Sequence, residues 1–269
     1  AGSLFVNQIA LAAGDAVIAA LVHEDQHVVP DELFALPGGD DAALEPFGTC
    51  IAHYQSNGKL TVYSSTQLPH WSRHYLAGAL GLPLNKVRVI KPHTGGSFGG
   101  RCGLIHGLEV MCSWLSRQTG RPVRMSFTRE EDFMATETRH PMTITMKTGA
   151  TKDGIITAND VEIVSDVGGY GTHYIGVIAD CLSTGIGLYK IPHYRFSATA
   201  VFTNKSPCGA LRGYGNPQMN FAQESQMDII AEKLRIDPLE LRLKNYRQLG
   251  EIDPVLNQEI RSNGLKECL

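Results

Sequence analysis

The 269-residue sequence has no long apolar run and no basic cluster. No apolar stretch reaches the roughly 18 residues that a membrane-spanning helix needs. The formal net charge is −3 and no basic run occurs, so nucleic acid is not favoured as a partner. The first residues show no basic region followed by an apolar core, so we expect no signal peptide. We therefore expect neither a membrane nor a nucleic acid among the partners of this chain.

Paired cysteines and metal-binding histidine spacings are also missing. None of the six cysteines forms a C-x-x-C pair, which iron–sulfur clusters and structural zinc sites usually need. The histidines show no H-E-x-x-H spacing. Scattered cysteines in a chain of this length are typical of buried thiols in a reducing compartment, and we expect a cytoplasmic location. The six are Cys50, Cys102, Cys112, Cys181, Cys208 and Cys268.

The sequence has two glycine-rich segments, and neither of them matches a common nucleotide-binding motif. Residues 93–101 read HTGGSFGGR and residues 210–218 read ALRGYGNPQ. The dinucleotide fingerprint needs glycine at its third position, but Ser97 is third counted from Gly95, and no Walker Gly-Lys-Ser/Thr follows. Each segment precedes a stretch that we predict to be helical, an arrangement that favours an anionic or oxo-bearing ligand held from two sides. For either loop alone, a plain tight turn is the alternative.

The hydrophobic pattern predicts an α+β fold. Strands are predicted at 60–64, 86–90, 122–127, 142–147, 155–165 and 196–202, the fourth and fifth of them as a hairpin. Helices are predicted at about 71–80, 101–116 and 218–234, and Asp237-Pro238 followed by Glu240 resembles the start of another. In the less informative first 42 residues, 16–22 could be a buried strand and 30–41 is predicted to be loop.

Together with other motifs, the two loops resemble the molybdenum-cofactor-binding subunit of the xanthine dehydrogenase and aldehyde oxidase family, the molybdenum hydroxylases. The family loops GGGFGGK and RGFGxPQ correspond to residues 95–101 and 212–218. The order and spacing of the motifs agree over residues 43–269. The further matches are Glu45-Pro46, Ser65-Thr66-Gln67, Arg139-His140-Pro141, and the closing helical signature at 231–234 and 237–245.

The resemblance implies an α+β fold of mixed sheets with packed helices, the first molybdenum-cofactor-binding domain of the xanthine dehydrogenase type. We assign it to residues 43–269, and residues 1–42 to a remnant of an α/β hammerhead domain or a linker. The family's later cofactor loop and the glutamate that acts as base are not found in this sequence. We therefore interpret the chain as the first half of an active site. Nicotinate dehydrogenase is one family member that is divided between a large and a medium subunit.

The implied cofactor is molybdopterin with molybdenum, and its cytosine dinucleotide form is one alternative. The metal is held through the pterin, so no direct protein ligand is expected. The implied partners are a second molybdopterin subunit or the missing C-terminal half, an iron–sulfur subunit with [2Fe–2S] centres, and a subunit that holds FAD. The implied reaction hydroxylates an aromatic small molecule, an N-heteroaromatic compound or an aldehyde, with water as the oxygen source.

The resemblance also implies roles for individual residues. Gln67, Arg139 and Arg212 would act in catalysis, Gln67 by hydrogen bonding to a molybdenum oxygen and Arg212 beside the oxo group and pterin. The cofactor would contact Gln67, Gly96, Phe98, Gly99, Gly100, Arg212 and Gly213. The substrate would contact Phe98, Cys102, Arg139 and Tyr214.

The sequence departs from the family motifs at three positions, and two alternative roles are open for the chain. Ser97 replaces a glycine, Cys102 stands where xanthine-oxidising members have a glutamate, and Tyr214 replaces a phenylalanine, so xanthine itself is doubtful. Arg139 would suit a substrate carboxylate, but an ion pair with a neighbouring acidic residue, such as Glu137, is nearly as well supported. The chain could also be a non-catalytic structural or assembly component, or an unrelated anion-binding module.

Overall fold

A computed structural model describes residues 48–102, 107–253 and 257–268, and the backbone of three earlier strands. Its strands are β1 (Val6–Ile9), β2 (Gln26–Val28), β3 (Glu32–Leu36), β4 (Thr49–Tyr54), β5 (Leu60–Ser64), β6 (Val87–Ile90), β7 (Val123–Ser126), β8 (Met142–Thr151), β9 (Ile156–Gly168), β10 (His193–Phe202), β11 (Ile252–Asp253) and β12 (Gln258–Glu259). Its α-helices are α1 (Pro69–Leu80), α2 (Leu108–Thr119), α3 (Arg129–Ala135), α4 (Tyr174–Gly187), α5 (Asn216–Leu234), α6 (Pro238–Asn245) and α7 (Leu265–Cys268).

The larger sheet has six strands and is built around the hairpin of β8 and β9. Its order is β1-β10-β9-β8-β2, and β3 also pairs with β8. Alternate residues of β8 and β9 are buried because successive side chains of a strand point to opposite faces. The buried faces pack against α4 and α5 in one apolar cluster, in which Ile144 and Ile163 are opposite each other across the hairpin. Strand β10 runs parallel to β9, and α4 makes the crossover between them.

The smaller sheet has four strands in the order β6-β5-β4-β7. Strands β5 and β6 are parallel and joined through α1, whereas β4 is antiparallel to both of its neighbours. Its apolar face packs against α1 and α2 around Leu60, Val62 and Leu76, all fully buried. A third apolar cluster joins α5 and α6 to Ile156 at the start of β9.

Both sheets contain one parallel strand pair, and the glycine loops leave from these pairs. In parallel sheets, ligands bind beyond the carboxyl ends of the strands. Gln67 follows β5 and residues 95–102 follow β6, while residues 203–215 follow β10. The topology therefore places the predicted site residues at the carboxyl ends of two parallel pairs.

The predicted α+β class is confirmed, as are the predicted hairpin and all six predicted strands, with bounds that differ by a few residues. The predicted loop at 30–41 is wrong at its centre, because Glu32–Leu36 pairs its backbone with the edge of β8. The possible strand at 16–22 lies outside the described residues. No helix in the described ranges is both long and apolar enough to cross a membrane.

The predicted helix at 101–116 starts too early. Helix α2 begins at Leu108, because Gly107 directly before it is left-handed, with a φ of 61°. Within the first loop, Phe98 and Gly99 have positive φ angles of 46° and 96°, and the Cys102 amide donates to the Gly99 carbonyl. Helix α5, by contrast, begins directly after the second loop, at Asn216. Asp237 caps α6 as predicted, accepting hydrogen bonds from the amides of residues 239 and 240. Helices α3, α4 and α7 have no counterpart in the sequence prediction.

Candidate functional site

Gln67 lies three residues after the end of β5 and is fixed by the first glycine loop. Its backbone amide donates to the carbonyl oxygen of Arg101 at 2.9 Å. Its side-chain oxygen accepts the backbone amide of Gly99 at 3.1 Å. The neighbouring Thr66 hydroxyl accepts the amide of Leu68, which shapes the turn into α1. Because Oε1 is used as an acceptor, the Nε2 group is the end of the Gln67 amide that remains to donate outward.

The first loop offers a run of backbone donors. Within the described residues, the amides of Gly95, Gly96, Ser97 and Phe98 donate to no protein acceptor. Phe98 is 37% exposed, although its positive φ is unusual for an aromatic residue. Successive amides around a left-handed residue form a concave donor set that suits anionic and oxo groups. The loop therefore has the chemistry that its sequence predicts, without a helix directly behind it.

The second loop has a similar local geometry. Gly213, Tyr214 and Gly215 all have positive φ, at 89°, 49° and 98°. The Tyr214 amide donates to the carbonyl of Leu211, and the Asn216 amide to that of Gly213. A Cβ on Gly215 would lie 2.4 Å from the carbonyl oxygen of Val177 in α4, so this position needs glycine. Each loop thus presents one aromatic residue in a left-handed conformation beside glycine.

The two loops are in direct contact. An ideal Cβ on Gly99 would lie 2.4 Å from the carbonyl oxygen of Ala210 and 2.8 Å from the amide nitrogen of Leu211. In addition, the guanidinium carbon of Arg212 lies 5.9 Å from the centre of the Phe98 ring, within cation–π range. The fold therefore brings two segments more than a hundred residues apart into contact.

Arg139 links the second loop to the start of β8. Its guanidinium donates to the carbonyl oxygen of Arg212 at 2.8 Å and to the side-chain oxygen of Gln218 at 3.3 Å. Gln218 is 3% exposed and donates in turn to the carbonyl oxygen of His140. The Arg139 fork thus holds the backbone of Arg212 in place.

Tyr214 is packed against α4. Its hydroxyl shares a 3.1 Å hydrogen bond with Nδ1 of His173, and the two rings meet edge to face. A Cβ on Gly176 would lie 2.5 Å from the Tyr214 hydroxyl oxygen, so the ring fills the space that this glycine leaves. Partial burial and the nearby charge of Asp180 raise the pKa of Tyr214, which keeps the phenol protonated at neutral pH.

Glu137 is a buried residue beside the second loop, and the sequence does not reveal its burial. The pattern of acidic residues before Arg139 indicates only an ion pair. Glu137 is 2% exposed, and neither carboxylate oxygen has a hydrogen-bond partner. Burial, together with the charge of Glu137, raises the pKa of the Cys102 thiol at the end of the first loop. A buried, unpartnered carboxylate is visible only in three dimensions.

His140 is also buried in this region, at 1% exposure. Burial and the neighbouring His173 lower its pKa to about 4, although Asp166 and the backbone of Gly209 oppose the shift. His140 is therefore neutral at physiological pH. It is part of the packing beneath the second loop.

The fold brings the predicted site residues into one region. Gln67, Phe98, Gly99, Arg139 and Arg212 are connected by the contacts above. Gly100 is buried in the turn behind Phe98, whereas Gly213 is exposed. In the described ranges, no three His, Cys, Asp or Glu side chains are grouped so as to hold a metal ion. What the region offers is backbone and side-chain amides with two arginines, a donor set for oxo and phosphate groups.

Comparison with known proteins gives a family for this architecture. A family model described as "Molybdopterin cofactor-binding domain" matches residues 4–246. Over 200 residues, the chain is 42% identical to the nicotinate dehydrogenase large molybdopterin subunit of Eubacterium barkeri, covering 74% of this chain and 47% of that protein. It is 38% identical over 222 residues to the xanthine dehydrogenase molybdenum-binding subunit of Escherichia coli O157:H7, covering 82% of this chain and 29% of that protein.

A solved structure has the same fold. The aldehyde oxidoreductase from Desulfovibrio gigas superimposes with a TM-score of 0.81 at 29% sequence identity, covering 98% of this chain and 28% of that one. The chain therefore spans less than half the length of the relatives that it matches.

Proposed function

The chain belongs to the molybdopterin cofactor-binding domain family of the xanthine dehydrogenase type, and from this premise we propose that its two glycine loops together hold molybdopterin in a molybdenum hydroxylase. The observation that supports this most is the contact between Gly99 and Ala210, which makes one donor surface out of two loops. The proposed role is an enzyme subunit rather than a structural component.

The residues present fit such a cofactor. Molybdopterin carries oxo and phosphate oxygens, which are acceptors, and the first loop presents amides at 95–98 that donate to no acceptor among the described residues. Gln67 adds an Nε2 donor whose direction is fixed by the Gly99 amide. The guanidinium of Arg212 adds a permanent positive charge beside Phe98. Gly96, Gly99, Gly100 and Gly213 would let the backbone approach the cofactor closely.

The chain's own residues would orient and stabilise the reacting groups. When bound, the molybdenum cofactor supplies an oxygen drawn from water and accepts two electrons from the substrate. Gln67 would donate from Nε2 to an oxygen that gains negative charge as the reaction proceeds. Arg212 would stabilise the same charge, and Arg139 would hold the Arg212 backbone in position through its 2.8 Å hydrogen bond. A base is not among these residues, and we assign it to the partner half.

The proposed substrate is an N-heteroaromatic compound, with an aldehyde as the alternative. Two of the relatives are named for nicotinate and xanthine, both nitrogen heterocycles, and the solved structure is an aldehyde oxidoreductase. The exposed ring of Phe98 would pack against a flat substrate, with Cys102 and Tyr214 at its edges. The hydrogen bonds of Arg139 to Arg212 and Gln218 support a role in shaping the pocket over direct capture of a carboxylate.

The remaining parts of the enzyme are proposed to lie outside this chain. They are the second molybdopterin-binding half, in the same or another polypeptide, and centres of [2Fe–2S] and FAD that carry electrons away. The cytosine dinucleotide form of the cofactor and a cytoplasmic location remain predictions.

Isotope labelling tests the proposed reaction. The complete protein that contains this chain would be assayed in ¹⁸O-labelled water with an artificial electron acceptor, against a panel of N-heteroaromatic compounds and aldehydes. Product that carries one label from water supports the hydroxylase. Hydroxylated product without label contradicts the proposed reaction, and an intact protein that turns over neither class favours a structural component.

A further inference from the structure

The Glu137 carboxylate is buried in the protein without a hydrogen-bond donor. The side chain is 2% exposed and both carboxylate oxygens lack a hydrogen bond. Buried carboxylates are almost always paired or hydrogen-bonded, because removing them from water is costly. The molecule therefore retains an acceptor pair that no group among the described residues satisfies.

The space for this carboxylate is built into the fold. A Cβ on Gly209 would lie 1.9 Å from a Glu137 carboxylate oxygen, so only glycine leaves room for the side chain. The backbone on both sides is pinned, since the Thr138 amide donates to the Pro207 carbonyl and the Gly209 amide donates to the Thr138 carbonyl. The position of Glu137 is therefore fixed by two interlocked segments.

Glu137 lies where the two glycine loops meet. Gly209 directly precedes Ala210, the residue that contacts Gly99 of the first loop. The charge of Glu137 acts on both Cys102 at the end of the first loop and Tyr214 in the second. Arg139, two residues along the chain, is bound to the backbone of Arg212. The unpartnered carboxylate thus adjoins the proposed cofactor and substrate site.

We propose that Glu137 accepts hydrogen bonds from the N–H groups of a nitrogen heterocycle bound between the two loops. This inference rests on the proposed function. Two oxygens of one carboxylate can take two adjacent N–H donors, a pattern that flat nitrogen heterocycles present along one edge. Both the pterin of the cofactor and the ring of a heterocyclic substrate can present such N–H groups. Glu137 therefore favours binding of a ring that carries N–H donors, whichever of the two it is.

The test compares Glu137→Gln with Glu130→Gln in the complete protein. Glu137→Gln keeps the shape but removes the charge and one acceptor. Glu130→Gln makes the same chemical change at an exposed position of α3 in the same segment. Two measurements are made on each: the pterin-to-chain ratio after exhaustive dialysis, and the Kd for hypoxanthine, a heterocycle with ring N–H donors. Thermal unfolding checks that each variant folds. If Glu137→Gln does not fold, Glu137→Asp replaces it, because the shorter side chain keeps the charge but moves the carboxylate away from the ligand.

The two sources of the heterocycle give different results. A pterin ratio that falls about 10-fold or more in Glu137→Gln alone identifies the cofactor as the partner. An unchanged pterin ratio with a hypoxanthine Kd raised about 10-fold or more identifies the substrate. Equal pterin ratios together with equal hypoxanthine affinities in all proteins overturn the inference. Wild-type protein without pterin contradicts the proposed function itself, and the inference falls with it.

Discussion

The backbone amide of Gly99 donates a 3.1 Å hydrogen bond to the side-chain oxygen of Gln67. This bond joins the carboxyl end of β5 to the loop after β6, and it decides which end of the Gln67 amide remains a donor. The same Gly99 contacts Ala210, so one residue is in contact with both other parts of the site. Its geometry leads to the first prediction.

Gly99→Ala is expected to destabilise the chain and to separate the loops. A Cβ there would overlap the backbone of Ala210, and the φ of 96° is strained for any residue with a side chain. We expect a loss of about 2–4 kcal/mol in the free energy of unfolding, measured by urea denaturation. Gly95→Ala is the matched control, because a Cβ at Gly95 meets no atom within 4 Å. Equal stabilities for the two variants would show that the loops are not in contact.

Gln67→Glu separates the structural use of the side chain from its proposed use as a donor. The carboxylate still accepts the Gly99 amide, so stability should change by less than about 0.5 kcal/mol. The Nε2 donor is lost, and we expect kcat to fall about 100-fold. Gln118→Glu, at an exposed position of α2, controls for the added charge. Wild-type turnover in Gln67→Glu would remove Gln67 from the catalytic residues.

Arg139→Lys tests whether the guanidinium fork holds the second loop. Lysine keeps the charge but cannot reach the Arg212 carbonyl and Gln218 in the same planar arrangement. Amide hydrogen exchange at residues 213–216 should become about 5-fold faster or more, corresponding to about 1 kcal/mol. Arg88→Lys, on the exposed side of β6, should leave these amides unchanged. Unaltered exchange in Arg139→Lys would mean that the loop is held by other contacts.

The buried His140 predicts a loss of stability in mild acid. Its pKa is about 4 in the folded protein and about 6.5 when unfolded. Below pH 6.5 the unfolded chain binds a proton that the folded chain does not, so stability falls as the pH drops from 6.5 towards 4. The decrease from this residue is about 3 kcal/mol. Denaturation of His140→Gln between pH 7 and pH 4 should give a flatter profile than wild type, and an equally steep one would contradict the assignment.

Six of the strands and the second loop could be predicted from the sequence because their signals are local. Alternating residues give β8 and β9, and Lys152-Asp153-Gly154 gives the turn between them. Helix α5 follows its loop directly. The start of α2 could not be predicted, because it depends on the left-handed conformation of Gly107, which glycine permits but does not require.

Helix α4 was missed for a tertiary reason. Its glycines lower the helix propensity, yet Gly176 and Gly185 are required by the rings of Tyr214 and Tyr194, which occupy the space of a Cβ. The burial of Glu137 and the contact of Gly99 with Ala210 depend in the same way on pairing between distant segments. The family motifs therefore identify the loops, but only the fold shows that the loops are in contact.

The molybdenum-to-chain ratio of the complete protein tests the central claim most directly. We would measure molybdenum by elemental analysis, and pterin after extraction, on native protein and on Gly99→Ala. If the two loops hold one cofactor together, the native protein contains about one molybdenum and one pterin per chain. Gly99→Ala should then contain much less molybdenum and pterin per chain. An intact, folded native protein that contains neither molybdenum nor pterin would contradict the claim.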